Sequence, residues 1–359
     1  MNNVEINKEL FRLSDMFSDA PVVFDNVIGE KLVGKFILNR VVNIAYKNLL
    51  KKECTKMGEF EKPLKIMYEE NLKRAKLCKE NIEYVCKVLE NVEFPYALLK
   101  GAYLITNVYE LGDRVSNDVD LLINESNVGA CKKVLNNNGF KQGNIVNGVF
   151  KEASRMDIIM SKMNFGETIP FSKEVNGRYV TVDINFSVDY KPMEDDTIIK
   201  NMLSKRIELP LADTKLVTLD TVDFIIYLCL HLYKEATTFD WVERRKDLNL
   251  YKFNDIYLLF HNMASQELYD GLVENIKQYG VDKECYYAFL RTMNIYEKLE
   301  QVEGYQAFLD RIKPEDTSYL YEIVNPMEKK VYRYDMDFIE WFSCEDRVAN
   351  LIEARDMDI

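Results

Sequence analysis

The chain has 359 residues, enough for two or three compact units with a sizeable core. Hydrophobic residues at 47% and charged residues at 30% are in ordinary globular proportion, which excludes a disordered chain. A formal net charge of −12 repels phosphate backbones and excludes bulk coating of nucleic acid, while leaving room for a local basic cleft.

Gly (14) and Pro (8) are scarce, which favours long helices over a many-turned sandwich. The seven cysteines, Cys54, Cys78, Cys86, Cys131, Cys229, Cys285 and Cys344, include no Cys-x-x-Cys pair and read as free thiols of a reducing compartment. With only His231 and His261, a structural zinc site is not expected. Met1-Asn2-Asn3-Val4-Glu5 lacks the basic-then-apolar pattern of a signal peptide. The most apolar stretch, residues 224–233, is too short to span a bilayer. The expectation is a cytoplasmic protein with no membrane partner.

The first part of the chain reads as helical. Between residues 64 and 89 apolar side chains recur nearly always in steps of three or four (Leu64, Met67, Tyr68, Leu72, Ala75, Cys78, Ile82, Val85, Leu89), the mark of an amphipathic helix. Pro63 sits at its start and Pro95 beyond its end, the positions where proline is tolerated. The character then changes. Residues 96–99 read as a strand entering a Lys100-Gly101 turn, 103–109 as a short helix, 118–123 as a strand and 128–135 as a helix. Asn147-Gly148 and Asn176-Gly177 are hairpin signals. The run 178–188 alternates, with Val180, Val182, Ile184, Phe186 and Val188 on one face and Asp183 on the other. Glu194-Asp195-Asp196 after Pro192 reads as a helix N-terminus. Helical patterns return at 222–233, 255–263, 266–278 and 284–299, and 329–335 reads as a strand or an extended tail. His231 reads as a satisfied core histidine, and Glu243-Arg244-Arg245-Lys246-Asp247 as a solvated helix face. The expected fold class is α+β, a small mixed β-sheet core flanked by helical regions. Three regions are expected: 1–93 helical, 94–212 the α/β core and 213–359 helical.

The chemistry concentrates in one segment. Asp118 and Asp120 stand two apart on a strand and so share a face, with Val119, Leu121 and Ile123 on the other. Two adjacent carboxylates repel each other until a divalent cation sits between them. Mg²⁺ suits such a pair, because it takes oxygen ligands and is commonly held by one or two carboxylates plus substrate phosphates; Mn²⁺ is an alternative. Asp183, on the polar face of the best-patterned strand, is the candidate third ligand, with Asp157 and Asp189 as rivals. Lys100-Gly101 at a strand exit suits phosphates, since glycine permits close backbone approach. Lys100, Arg114 and Ser116 are alternative donors at that end.

The order Leu-Lys-Gly turn, helix, Arg114-x-Ser116-x-Asp118-x-Asp120-apolar and a later strand with Val182-Asp183 resembles the DNA polymerase β-like nucleotidyltransferase superfamily. It looks most like the bacterial uncharacterised nucleotidyltransferase family and is also similar to AbiE-type nucleotidyltransferase toxins. The resemblance is strongest over residues 74–186 and weaker around His231 and Asp240-Trp241. It implies Asp118, Asp120 and Asp183 as catalytic metal ligands and Gly101 as part of the phosphate turn; with Lys100, Ala102, Arg114 and Ser116, Gly101 makes up the expected nucleotide-binding set. It implies transfer of an NMP group from an NTP to an unidentified acceptor (a small molecule, a protein or an RNA end), with release of pyrophosphate. Gly101-Ala102 stands where the superfamily usually has Gly-Ser or Gly-Gly, which motivates the alternative of a nucleotide- or partner-binding module whose catalysis has decayed. Action on a tRNA end, as in the toxins, is a further alternative.

Overall fold

The computed structural model describes residues 2–18, 24–51, 57–164, 166–189 and 195–357. Cys54, Pro192 and Glu194 lie outside the described residues. The chain divides into two compact units, one of residues 72–227 and one formed by residues 1–71 with 228–359. The fold is α+β with a mixed sheet, as the sequence pattern implies.

The unit of residues 72–227 is built on six strands: β1 (Tyr96–Leu98), β2 (Val119–Ile123), β3 (Lys141–Val146), β4 (Val149–Glu152), β5 (Phe171–Val175) and β6 (Arg178–Asn185). Their spatial order is β1-β2-β6-β5-β3-β4, with β2 and β6 parallel and the other neighbours antiparallel. Both Asn-Gly pairs close hairpins, and in each the Asn and the Gly take positive φ (52° and 76° at 147–148, 52° and 75° at 176–177). That is the two-residue turn whose twist matches the flanking strands. Val180, Val182, Ile184 and Phe186 are buried, as the alternation requires. They pack with Leu121 and Ile123 of β2 and with Ile82, Val85, Cys86 and Leu89 of the helix Glu61–Leu89. The buried stripe of this helix thus covers the apolar face of the sheet and leaves the Asp face of β2 and β6 to other work. A further hairpin, β7 (Ile207–Leu211) and β8 (Thr214–Thr218), adds Leu211 and Leu216 to the same core.

The other unit is mainly helical. Its N-terminal helices Asn3–Ser14, Asn26–Leu38 and Val42–Lys51 pack on one another, and the first also meets the helix Phe338–Ser343, while Leu250–Met263 and Gln266–Tyr279 pack against Asp282–Ile295. Asn48 donates to the Leu13 and Asp15 carbonyls, and Asn249 to that of Leu38. The expected strand near residue 330 is the middle one of a three-stranded sheet, β9 (Glu322–Asn325), β10 (Lys330–Arg333) and β11 (Ile352–Asp356). His231 lies mostly buried, 3.5 Å from Glu235.

The segment 243–247 is exposed at Glu243, Arg244, Arg245 and Lys246, as expected, but it departs from a solvated helix face in its backbone and at Asp247. The helix Phe239–Glu243 stops there, Arg245 turns the chain at φ 55°, and Asp247 is fully buried. Asp247 accepts hydrogen bonds from Arg347 Nη1 at 2.5 and 2.7 Å, and this distant partner overrides the local charge pattern. No helix among the described residues is long and apolar enough to cross a membrane.

Candidate active site

The candidate residues are gathered within the unit of residues 72–227, on the polar face of the sheet. After β1 the Leu99 amide bonds the Asp120 carbonyl at 2.9 Å, tying the strand exit to β2. Thr218 of β8, fully buried, donates to the Leu98 carbonyl at 2.7 Å and fixes the end of β1 from the other side. The next residue, Lys100, takes φ 43° and ψ −116°, a conformation that favours glycine. Such backbone strain costs on the order of 1–3 kcal/mol and persists where the surroundings impose it, commonly at functional turns. It aims the ammonium back at the sheet, where Lys100 Nζ lies 2.8 Å from Asp120 Oδ1. The helix begins at Gly101, two residues before the expected start, and widens into a π-turn over Leu104–Val108.

Gly101 has a steric reason to be glycine. A Cβ there would stand 2.7 Å from Ser116 Cβ and 2.9 Å from Ser116 Oγ. Ser116 in turn donates to Asp118 Oδ1 at 2.9 Å. The close approach seen in the structure is to this serine, which in turn orients the first carboxylate. The bend before β2 is held from the helix Glu61–Leu89, where Cys78 Sγ donates to the Ser116 carbonyl at 2.7 Å and Arg74 to Asn117 Oδ1 at 3.0 Å. Arg114 is buried and donates to the Val115 carbonyl at 2.8 Å. Ala102 has its side chain in the core and its amide on the Leu99 carbonyl at 3.0 Å.

The register of β2 and β6 places Asp120 directly beside Asp183. Neighbouring strands are about 4.8 Å apart, so the two carboxylates face each other across one strand spacing. Asp118 follows on the same face one pleat earlier. Asp120 is buried, and Asp183 Oδ1 is buried with no hydrogen-bond partner. Burial pushes the Asp120 carboxyl upward, opposed by Lys100 and reinforced by Asp118. Burial also pushes Asp183 well above the ordinary carboxylate range, reinforced by Asp118, Asp120 and Glu167. Of the rivals, Asp157 is exposed and bonded to Ser154, and Asp189 is exposed in the segment after β6.

Glu167 belongs to no sequence motif. It pairs with Asn185 at the end of β6 and projects its charge onto Asp120 and Asp183. The one available sequence signal was an acid preceded by Gly166 just upstream of β5.

Among the described residues no group of three or more His, Cys, Asp or Glu side chains is already arranged to hold a metal ion. The chemistry of the set nevertheless fits a hard divalent cation. The donors are oxygens only, their like charges converge, and one buried carboxylate oxygen is left unsatisfied.

Compared with known proteins, the chain matches a family model described as "Uncharacterised nucleotidyltransferase" over residues 30–296. No curated protein and no solved structure matches it significantly.

Proposed function

Because the chain belongs to the uncharacterised nucleotidyltransferase family and is a nucleotidyltransferase, we propose that its reaction centre is the carboxylate face formed by Asp118, Asp120 and Asp183. The observation that carries this is the β2–β6 register, which sets Asp120 beside Asp183 and leaves a buried oxygen of Asp183 unpartnered. A buried carboxylate beside two others is costly, and a bound cation relieves that cost.

In this reading Asp118, Asp120 and Asp183 would hold Mg²⁺, or Mn²⁺ in its place. When bound, the ion supplies charge neutralisation at the reacting phosphate and its leaving group. The NTP lies with its phosphates toward Lys100 and Gly101. Lys100, whose Nζ lies 2.8 Å from Asp120 Oδ1, would place its ammonium on the phosphates. Ser116 holds Asp118, and Gly101 leaves the room in which Ser116 does so. Asp183 faces the acceptor and orients its hydroxyl. The acceptor oxygen attacks the α-phosphorus in line, and the bond to the β-phosphate oxygen breaks with release of pyrophosphate. Positioning and charge complementarity supply the catalysis.

The departure at Ala102 weighs little against catalysis. Its side chain lies in the core, so a hydroxyl at this position would not face the site. The decayed-module alternative therefore loses the feature that motivated it. The test is calorimetric titration of ATP, GTP, CTP and UTP with Mg²⁺ into the wild type and into an Asp118→Ala/Asp120→Ala variant, followed by a pyrophosphate assay. Metal-dependent binding that the variant loses, with pyrophosphate formed by the wild type, supports the reading. Binding retained by the variant removes the carboxylates from the site. Screening small molecules, proteins and tRNA as acceptors then separates the possible acceptor classes.

A further inference from the structure

We infer that Glu167 is a catalytic residue of this centre, taking the proton from the attacking hydroxyl; the inference rests on the nucleotidyltransferase reading of Asp118, Asp120 and Asp183. The first ground is register. Along β5 and β6 the pairing runs from Val175 opposite Arg178 to Phe171 opposite Val182. Continued straight, it would place Glu167 opposite Phe186, whose side chain is in the core. Instead the register slips by one across Ile169-Pro170, and Glu167 pairs with Asn185. A one-residue slip moves a side chain to the other face of a sheet. The slip brings Glu167 onto the face of Asp183 and Asn185.

Two bonds fix this pairing. The Thr168 amide bonds the Ile184 carbonyl at 2.9 Å, and the Phe186 amide bonds the Gly166 carbonyl at 2.8 Å. These flank Glu167 and Asn185 as a non-hydrogen-bonded antiparallel pair, the kind in which side chains stand closest. Gly166 lets the segment come this near, since a Cβ there would stand 2.2 Å from Ser187 Cβ. Asp183 is then the diagonal neighbour of Glu167, about 7–8 Å away between backbones. That leaves room for one acceptor oxygen between two carboxylate groups.

The second ground is direction. Lys100 follows β1, and the strand order places β2 and β6 between β1 and β5. The proposed phosphate donor and Glu167 therefore flank the Asp120–Asp183 pair on opposite sides. In-line displacement requires the attacking oxygen and the leaving pyrophosphate to lie on opposite sides of phosphorus. With pyrophosphate on the Lys100 side, the acceptor comes from the Glu167 side. Glu167 is exposed, so it can meet an acceptor arriving from solvent. The unpartnered Asp183 Oδ1 marks the same space as one awaiting a ligand. In the step, the acceptor O–H bond breaks and its proton goes to a Glu167 oxygen. The acceptor oxygen forms a bond to the α-phosphorus, and the electron pair of the broken P–O bond leaves with pyrophosphate.

The test compares two acceptors in the full-length wild type and in Glu167→Gln. Water is a weak nucleophile until it loses a proton; the hydroxylamine nitrogen is nucleophilic enough to attack first and lose its proton afterwards. With water, conversion of NTP to NMP and pyrophosphate is expected to fall roughly 10²–10⁴-fold in the variant, the usual contribution of a general base. With hydroxylamine the loss is expected to stay below about tenfold, because little of that contribution is needed. Calorimetric titration with Mg²⁺-NTP is expected to be unchanged. Equal losses with both acceptors, no loss with either, or a weakened NTP titration would each overturn the assignment. A wild type that neither binds NTP nor releases pyrophosphate would overturn the underlying reading, and this inference with it.

Discussion

Both units bury carboxylates, and they treat them in opposite ways. In the mainly helical unit, fully buried Asp247 receives two hydrogen bonds from Arg347, and buried Glu235 is ion-paired with buried Lys252. Lys252 also donates to the carbonyls of Lys246 and Asp247. In the sheet unit, Asp120 has Lys100, but Asp183 keeps a buried oxygen without a partner and has three other acids nearby. Burial raises the carboxyls of both Asp247 and Asp183, but the neighbouring charges that oppose this at Asp247 reinforce it at Asp183. Asp247 is satisfied by its hydrogen bonds, whereas Asp183 is not, which is the pattern the proposed ligand-holding role of Asp183 calls for.

The comparison breaks most visibly at Arg347. Arg347→Met leaves Asp247 charged, buried and unpaired, which costs about 3–5 kcal/mol. At about 2–4 °C per kcal/mol, the melting temperature falls by roughly 6–20 °C. Thermal denaturation followed by circular dichroism checks this, and a change of under a few degrees would mean that the pair is dispensable. A smaller effect is expected at Gly101→Ala. The added methyl meets Ser116 and displaces the residue that holds Asp118. Turnover is expected to fall by about tenfold to a hundredfold, since misplacement of a catalytic group by about 1 Å has costs of that order. Melting should change by only a few degrees. Steady-state pyrophosphate release reads the first, and unaltered turnover would show that the Gly101–Ser116 contact does not control Asp118.

Much of this site was legible because its geometry is local. Asp118 and Asp120 share a face by strand period, and the Asn-Gly turns fix the hairpins that present β6. What was illegible depended on contacts distant in sequence or on irregular backbone. Glu167 reaches the site only through a register slip at Ile169-Pro170, which no alternation reveals. The β7–β8 hairpin turns at Ala212 with φ 49°, a residue that gives no turn signal. Asp247 looked like one charge in a solvated run because its partner lies 100 residues later. The Lys100–Asp120 bond follows from a strained backbone that a lysine would not choose unaided.

The most direct test of the central claim is the melting temperature of the wild type against Asp183→Asn across pH, with and without Mg²⁺ and NTP. Asp183 has its carboxyl raised in the folded state, so the stability it contributes is present below the ordinary carboxylate value of 3.8 and is lost as pH rises through the folded value. Without ligand, the variant is expected to melt at about the wild-type temperature near pH 4 and a few degrees above it at pH 8, where about 1 kcal/mol corresponds to 2–4 °C. Adding Mg²⁺ and NTP is expected to raise the wild type and leave the variant nearly unmoved. A variant that is less stable than the wild type at pH 8 without ligand, or that gains as much from Mg²⁺ and NTP, would contradict the claim that Asp183 is held unsatisfied for a bound cation.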